Sequence, residues 1–496
     1  GGGRLATDVG EVLGANTIGG IGGALLAGFV LVPRVGIEAT VSIAATASIV
    51  AGAAVMFSSP GSRSRAIVAT LGAVQVAALL WLAPEWDRRI MTAGAAVYAA
   101  DMLHEEDPDG ALERHVSQRE ILFYREGVSA TVAVLGFDTD RALSVNGKID
   151  AGTAQDMATQ LLLGHVPALL HGAPRRALVI GLGSGVTAGA LSLHSAASID
   201  VAEIEPAVVE AASWFDPENR GVLRNPRVRV LLDDGRHVLA SAVRPYDVIA
   251  SEPSNPWIAG EGSLFTREFF ELARAHLAPG GVMTQWLHTY SISVDDLRMI
   301  IRTFQSVFPH ATAWRASTGD VLLVGTAARL RIDVPTLLAR IAALPQVRGD
   351  LDRTLHLAEA LPWMLLLGED GLRAFSAGAQ LNTDDRPRLE FSAPLSLYAA
   401  VSERNMRALR AHRGGAELRE MGVDASAAGT PVQRLALARA LIEQEAFDDA
   451  RELLDDSGDA SAYPPPLLGE RERLLAEIER RGGGAQRRPR PPGAGR

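Results

Sequence analysis

Apolar residues fill the first part of the chain on every side, with no polar stripe of the kind a water-facing helix carries. From residue 9 to residue 81 most positions are Ala, Gly, Val, Ile or Leu, and three runs stand out, 15–32, 37–57 and 66–83. Each approaches or reaches the roughly 20 residues that cross a bilayer. Pro33-Arg34 and the polar residues 58–65 form the short connections between them. Gly14, Gly19, Gly20, Gly22, Gly23 and Gly28 offer small faces suited to close helix contact in lipid. The pattern predicts transmembrane helices over 1–84, about three spans. A buried Ala/Gly-rich helical hairpin is the alternative. A cleaved signal peptide fits poorly with three successive runs. The chain opens with Gly-Gly-Gly rather than Met, so the expectation is a fragment with a truncated set of helices. Basic residues flank the runs on both sides and do not fix an orientation.

The period of the pattern then changes. Residues 85–120 read as a connector holding an amphipathic helix. Residues 121–151 alternate in period two, with Gly127 and Gly136 at turns, and read as a small β domain. Over 152–328, short apolar runs alternate with helical patterns, which predicts an α/β fold with a doubly wound, Rossmann-like parallel sheet. Its last part, 310–326, reads as an antiparallel pair. Residues 329–398 read as a helical extension. Residues 399–479 read as a helical segment like a tetratricopeptide pair, carried by 435–454; one or two such units are too few to stand alone. The Gly/Pro/Arg-rich residues 480–496 are expected to be disordered.

Candidate chemistry lies at the ends of the sheet strands. A-L-V-I (177–180) runs into Gly181, Gly183 and Gly185 and then a helical pattern, so the backbone can press against a ligand. Val186 stands where the dinucleotide pattern wants its third glycine, which favours an adenosyl-sulfonium ligand over a nicotinamide dinucleotide. About 20 residues further on, Glu203 ends the second strand, where a carboxylate can accept both ribose hydroxyls. A helix-capping role suits Glu205 better. The third strand runs into Asp233-Asp234-Gly235, and Asp234 is the adenine contact of choice, unless the pair simply makes a turn. The fourth opens onto Glu252, Asn255 and Trp257 in a proline-rich loop, whose alternative reading is structural.

These segments together resemble the spermidine synthase family of aminopropyltransferases, in its membrane-fused bacterial branch. The resemblance is carried by L-F-Y-R-E-G (122–127), V-N-G-K-I-D (145–150), the glycine turn with Ser184, A-E-I-E-P, D-D-G and the stretch from S-E-P-S-N-P-W to Q-W-L-H (251–288). It implies a methyltransferase-type Rossmann domain with no metal and no tightly bound cofactor. Decarboxylated S-adenosylmethionine would be the cosubstrate, its aminopropyl group would pass to a small amine acceptor, and methylthioadenosine would leave. The resemblance also implies that the β domain caps the site and helps form a homodimer. It aligns Gln160 with a residue near the nucleoside, although a lone polar residue on a helix can equally be surface.

The departures fall on the acceptor side. Where soluble members carry D-x-x-D, this chain has Glu252 and Asn255. Ser184 replaces an aspartate, W-R-A-S-T-G (314–319) replaces their polyamine gate, and their acceptor glutamate falls near Leu287 and His288. Lost acids weaken complementarity to a polycation. Glu252, with Asn255 or His288, is then the expected acceptor machinery, and imidazole exchanges protons near neutral pH. Without a loop aspartate, intact S-adenosylmethionine also fits, leaving a methyl- or aminocarboxypropyl transferase open. A non-catalytic nucleoside-binding membrane scaffold is the third reading. A recurring motif of the fused branch, 382–391, is expected to pack at the edge of the site.

Composition narrows the classes. A net charge of −10 gives no support to nucleic-acid binding, and zero cysteines exclude disulfides and thiolate metal sites. No run has zinc or calcium ligand spacing. The expected location is a multi-pass inner or plasma membrane protein with its catalytic domain in the cytoplasm and lipid around its helices.

Overall fold

The computed structural model describes residues 2–57, 62–82, 85–103, 110–117, 119–455 and 463–485. They form two compact units, Gly1–Asp150 with Glu205–Ala211, and Ala151–Ile204 with Ala212–Arg496.

In the first unit a helical run extends through Phe57, loosened by a π-helical turn at Ala27–Leu31 and broken at Gly36, where φ is +87°. Thr7–Met56 is long and apolar enough to cross a membrane, with a mean hydropathy of 1.8. Its large side chains, Ile18 and Phe29 among them, are exposed, a surface that calls for lipid or protein around it. The expectation of about three spans reduces to this one stretch among the described residues. The first two runs join through Gly36, and the helix Ser62–Leu82 holds only a shorter apolar part, Ile67–Ala78. The connection at 58–61 lies outside the described residues. The break at Gly36 leaves the Ile37 N–H without a helical partner, and it donates to Glu126 Oε2. Tyr124 donates to the other oxygen at 2.6 Å, and burial with this carboxylate beside it pushes the Tyr124 hydroxyl up.

The connector forms three short helices, Arg88–Met91, Ala95–Leu103 and Ala111–Ser117. A four-stranded antiparallel meander follows, β1 (Glu120–Glu126), β2 (Thr131–Phe137), β3 (Asp140–Val145) and β4 (Lys148–Gly152), in that order. Asn146-Gly147, both at positive φ, make its last tight turn. Glu205 caps its helix as expected, accepting from the Ala207 N–H at 3.0 Å. Its second oxygen holds the Ser129 N–H at 2.9 Å.

The second unit is built on an eight-stranded sheet. Its strands are β5 (Arg176–Ile180), β6 (Ser198–Glu203), β7 (Val228–Leu232), β8 (Tyr246–Ser251), β9 (Leu277–His288), β10 (His310–Arg315), β11 (Asp320–Thr326) and β12 (Leu365–Leu367). The order is β12-β10-β11-β9-β8-β5-β6-β7. Strands β5 to β9 are parallel, while β11, β10 and β12 add antiparallel. The chain winds outward from β5 to β7 and returns to β8 on the other side, so the crevice at the β5/β8 switch point opens at their carboxyl ends. At the opposite end Asp200, buried in β6, accepts from Arg176 of β5, Arg229 of β7 and Tyr246 of β8. Burial and this carboxylate push the Tyr246 hydroxyl up to about 12. Phe265, Phe269, Phe270, Phe304 and Phe308 fill one face of the sheet.

Two expectations need correction. Residues 331–375 are not all helical: Leu365–Leu367 pairs with β10 and takes the sheet edge, so β10 and β11 are not the terminal pair. Three leucines carry no period that separates strand from helix; the pairing partner decides. The last helix, Pro465–Ala485, also runs past residue 480, and 486–496 lie outside the described residues. The tetratricopeptide-like pair forms as Pro431–Glu443, opened by a Thr430/Gln433 capping box, and Phe447–Asp455. Asp449 from this pair takes Arg413 at 2.6 Å and lies 3.8 Å from the fully buried Arg315 of β10, whose pKa burial lowers to about 10.

His165 and His194 are buried. His165 Nδ1 lies 3.0 Å from His194 Nε2, and its Nε2 lies 3.0 Å from Asp350, which also takes Arg220 and Arg353. Burial, with His165 adjacent, lowers the His194 pKa to about 3. An unfolded chain therefore binds the proton that the native state refuses. Stability from this site is full above about pH 6.5 and falls by about 1.4 kcal/mol per pH unit below it. Urea unfolding of the full chain in detergent between pH 7.5 and 5 should show at least this slope, and His194→Gln should lessen it, since His165, whose pKa burial also lowers, remains; an unchanged slope would refute the assignment.

Candidate functional site

The turn after β5 explains its glycines one by one. Gly181, Gly183 and Gly185 have φ of +89°, +52° and +83°, where side-chain-bearing residues are strained. A Cβ on Gly181 would lie 2.5 Å from the Glu252 carbonyl oxygen, and one on Gly185 would lie 2.8 Å from Val222 Cγ1. Gly181 lets two backbones close on each other, and Gly185 leaves room for the Val222 and Asn219 side chains. Gly183 is different: a Cβ there would meet only Ala151 Cβ, at 3.7 Å, so this position faces the space a ligand can approach.

Glu203, nearly buried at the end of β6, is tied to that turn, because its Oε2 accepts from the Leu182 N–H at 3.0 Å. Gln160 is buried on the helix Met157–His171 rather than on the surface. It donates to the Gly152 carbonyl at 3.0 Å and accepts from the Ser184 hydroxyl. Asn219, fully buried, donates to the Ser184 carbonyl at 2.8 Å and fixes the turn from its other side. The Thr187 hydroxyl lies 2.7 Å from Glu252 Oε2 and 3.0 Å from the Gln160 carbonyl, so it orients the carboxylate that ends β8. Sequence reasoning missed Asn219 and Thr187. Thr187 was visible as the only hydroxyl in the first turn of the helix Val186–Leu191, but its partner lies 65 residues away.

After β7 the two aspartates divide. Asp234 caps the helix Gly235–Ala240, its Oδ1 accepting from the N–H groups of Arg236 at 2.8 Å and His237 at 3.2 Å. Asp233 is half exposed and pairs with His237 Nδ1 at 3.0 Å; that bond, with the Asp234 N–H, holds its carboxyl below the usual range. The turn role is thus filled at Asp234 through Oδ1.

On the acceptor side Asn255 is fully buried, with Nδ2 3.5 Å from the Tyr290 hydroxyl and Oδ1 without a hydrogen-bond partner among the described residues. His288, also fully buried, stacks on Trp286 at 5.4 Å between ring centres and lies 4.7 Å from Tyr290. Ser251 Oγ at the end of β8, and Thr284 Oγ1 and Gln285 Oε1 within β9, likewise have no hydrogen-bond partner among the described residues. The next strand supplies Asp320, which binds Trp286 Nε1 at 3.0 Å and Thr159 at 2.8 Å. The region beyond β8 and β9, where the acceptor is expected, thus combines aromatic faces and neutral polar groups with few carboxylates. No cluster of metal-ligating side chains occurs among the described residues.

Residues 156–318 match the spermine/spermidine synthase domain family. Polyamine aminopropyltransferase 1 of Pseudomonas aeruginosa is 32% identical over 160 residues, covering 32% of this chain and 56% of that protein. The polyamine aminopropyltransferase of Ruegeria is 28% identical over 214 residues, covering 41% of this chain and 75% of that protein. Spermidine synthase of Dictyostelium discoideum is 29% identical over 169 residues, covering 34% and 59%. The chain thus spans a little over half the length of several of these curated relatives. A probable spermidine synthase from Corynebacterium glutamicum, known from its crystal structure, is 19% identical with a TM-score of 0.40, covering 53% of this chain and 97% of that one.

Proposed function

We propose, for a chain that carries a spermine/spermidine synthase domain over residues 156–318, that it transfers the aminopropyl group of decarboxylated S-adenosylmethionine to an amine and releases methylthioadenosine. The observation that carries this reading is the placement of Glu252. Its carboxylate ends β8 at the switch point, oriented by Thr187, while its carbonyl closes on Gly181 of the nucleoside turn. In the reaction an amine nitrogen attacks the aminopropyl carbon in line with the sulfonium, a C–N bond forms and the C–S bond electrons stay on sulfur. Methylthioadenosine leaves neutral, and the proton on the new ammonium passes to Glu252. Holding the amine at attack distance supplies most of the acceleration.

Glu203 would accept the ribose hydroxyls, Gly183 would lie along the sulfonium chain, and Asp234 would read the adenine edge with its second oxygen. Gln160 acts through Ser184, and Asp233 through its turn. Asn255, with His288 behind Tyr290, would line the acceptor. Neutral polar groups and aromatic rings suit an amine of low charge better than a di- or tri-cation. The apolar stretch Thr7–Met56 would anchor the protein in a lipid bilayer together with the helix Ser62–Leu82, making it a multi-pass protein of the membrane-fused branch. The catalytic domain would face the cytoplasm, where a nucleotide-derived cosubstrate is supplied, and the β meander would pair in a homodimer.

Ser184 supports one competing reading, because a neutral hydroxyl does not repel the carboxylate of intact S-adenosylmethionine. Calorimetry on the full chain in detergent decides. Binding of the decarboxylated form at least about tenfold tighter, about 1.4 kcal/mol, is the expected result. Preference for the intact form would transfer the protein to the methyl- or aminocarboxypropyl transferases, and binding of neither would leave a scaffold.

A further inference from the structure

A turn far along the chain grips the loop that follows β8. Asn382 is fully buried and uses every polar group it has. Its amide nitrogen donates to the carbonyls of Gly262 at 3.3 Å and Phe265 at 3.2 Å, and its amide oxygen accepts from the Leu389 N–H at 3.2 Å. Its backbone carbonyl accepts from the Arg267 N–H at 2.9 Å, and its N–H donates to Thr303 at 2.9 Å. Eight residues on, Glu390 Oε1 accepts from the Gly260 N–H at 2.9 Å. A Cβ on Gly262 would lie 2.9 Å from Glu390 Oε2, so the two segments are in close contact. Between them, Asp384 takes the guanidinium of Arg236 through both oxygens, and Arg236 also donates to the Ser263 carbonyl at 3.2 Å. Arg236 is the residue whose backbone N–H Asp234 caps.

We infer that residues 382–390 form a positioning clasp that fixes the loop carrying Asn255 and Trp257 and locks it to the Asp233-Asp234 rim through Arg236. The loop between Ser251 and Phe265 has no regular structure until Glu261, and Gly260 sits at φ +91°. A segment of this kind keeps one conformation only where outside groups satisfy its backbone. The clasp does so directly at Gly260, Gly262 and Phe265, three positions from one turn, and at Ser263 through Arg236, which Asp384 holds. Its bonds reach both halves of the crevice, so the acceptor loop and the nucleoside rim are held in one register. The inference rests on the aminopropyl-transfer reading for its kinetic consequence, and on geometry alone for its conformational one.

The test uses the full chain in detergent with Glu390→Ala, Glu390→Gln and Asp384→Asn. Three quantities are read: amide hydrogen exchange over 254–266, the dissociation constant of methylthioadenosine, and KM and kcat for the amine acceptor. Loss of a charge-assisted bond to Gly260 should speed exchange of the loop about tenfold and raise the acceptor KM about as much. Methylthioadenosine binding to Glu390→Ala should stay within about twofold, and Glu390→Gln, which keeps an acceptor oxygen, should restore both quantities. Asp384→Asn should speed exchange at Ser263 while the chain stays folded. Unchanged exchange and unchanged acceptor KM would overturn the clasp, as would equal losses of acceptor and nucleoside binding. If the unaltered protein transfers nothing, the transferase reading fails, and the exchange measurement still decides whether the clasp holds the loop.

Discussion

Glu252→Gln should lower aminopropyl transfer by at least about a hundredfold, the usual loss for a general base, and leave methylthioadenosine binding within about threefold. The substitution keeps length and an acceptor oxygen, so Thr187, 2.7 Å from the carboxylate, retains its hydrogen bond. The Glu252 N–H bond to the Ile180 carbonyl, at 2.9 Å, belongs to the backbone and is untouched. What disappears is the negative charge that holds a protonated amine and takes its proton. Single-turnover transfer and calorimetry on the same preparation separate the two effects. Equal turnover would remove Glu252 from the mechanism and leave His288 as the remaining base. Lost nucleoside binding would mean that the carboxylate serves the turn rather than the acceptor.

Gly181→Ala should abolish nucleoside binding and destabilise the second unit by about 2–5 kcal/mol, adding left-handed strain to a steric clash. The new methyl group would sit 2.5 Å from the Glu252 carbonyl oxygen, which is backbone and has no rotamer to escape into. Relief requires β5 and β8 to part at the register pair Ile180 and Ser251. Gly183→Ala is the control, since its methyl group would have 3.7 Å of clearance. It carries only the strain of a φ of +52°, about 1 kcal/mol, and should lower affinity without unfolding. Urea unfolding followed by tryptophan fluorescence, with calorimetry, distinguishes the pair. If Gly181→Ala unfolds no more easily than Gly183→Ala, close backbone approach is not what requires the first glycine.

The strands β5 to β8 were legible because each is an apolar run of strand length that ends in glycine or acid. Strands β5, β6 and β8, covered on both faces, carry that mark most fully, while β7 at the sheet edge is only partly covered. Gly181, Glu203, Asp234 and Glu252 stood out as candidates for the same reason, as they stand at the ends of those runs. The rest depended on partners far away in sequence. His165 reads as a lone polar residue on a helix until Asp350, 185 positions on, is brought to it. Gln160 could be assigned to the surface until Ser184 and Gly152 closed over it. Asn382 and Glu390 of the 382–391 motif gave no hint of their targets, which are backbone groups, and backbone has no letter in a sequence. The π-helical turn at Ala27–Leu31 is equally silent, since its residues differ in no way from their neighbours.

Arg315 on β10 and Asp449 on the tetratricopeptide-like pair give the C-terminal helices a history as well as a place. The guanidinium is sealed from water, with that carboxylate 3.8 Å away and Arg413 on the carboxylate's other side. Deleting the helices would strand a desolvated cation in the sheet, and that costs more than losing a surface contact. Strand and tail are therefore entrenched in each other: a descendant can shed the helices only after position 315 has become neutral. Wherever an arginine persists at that position in this lineage, the tail should persist with it.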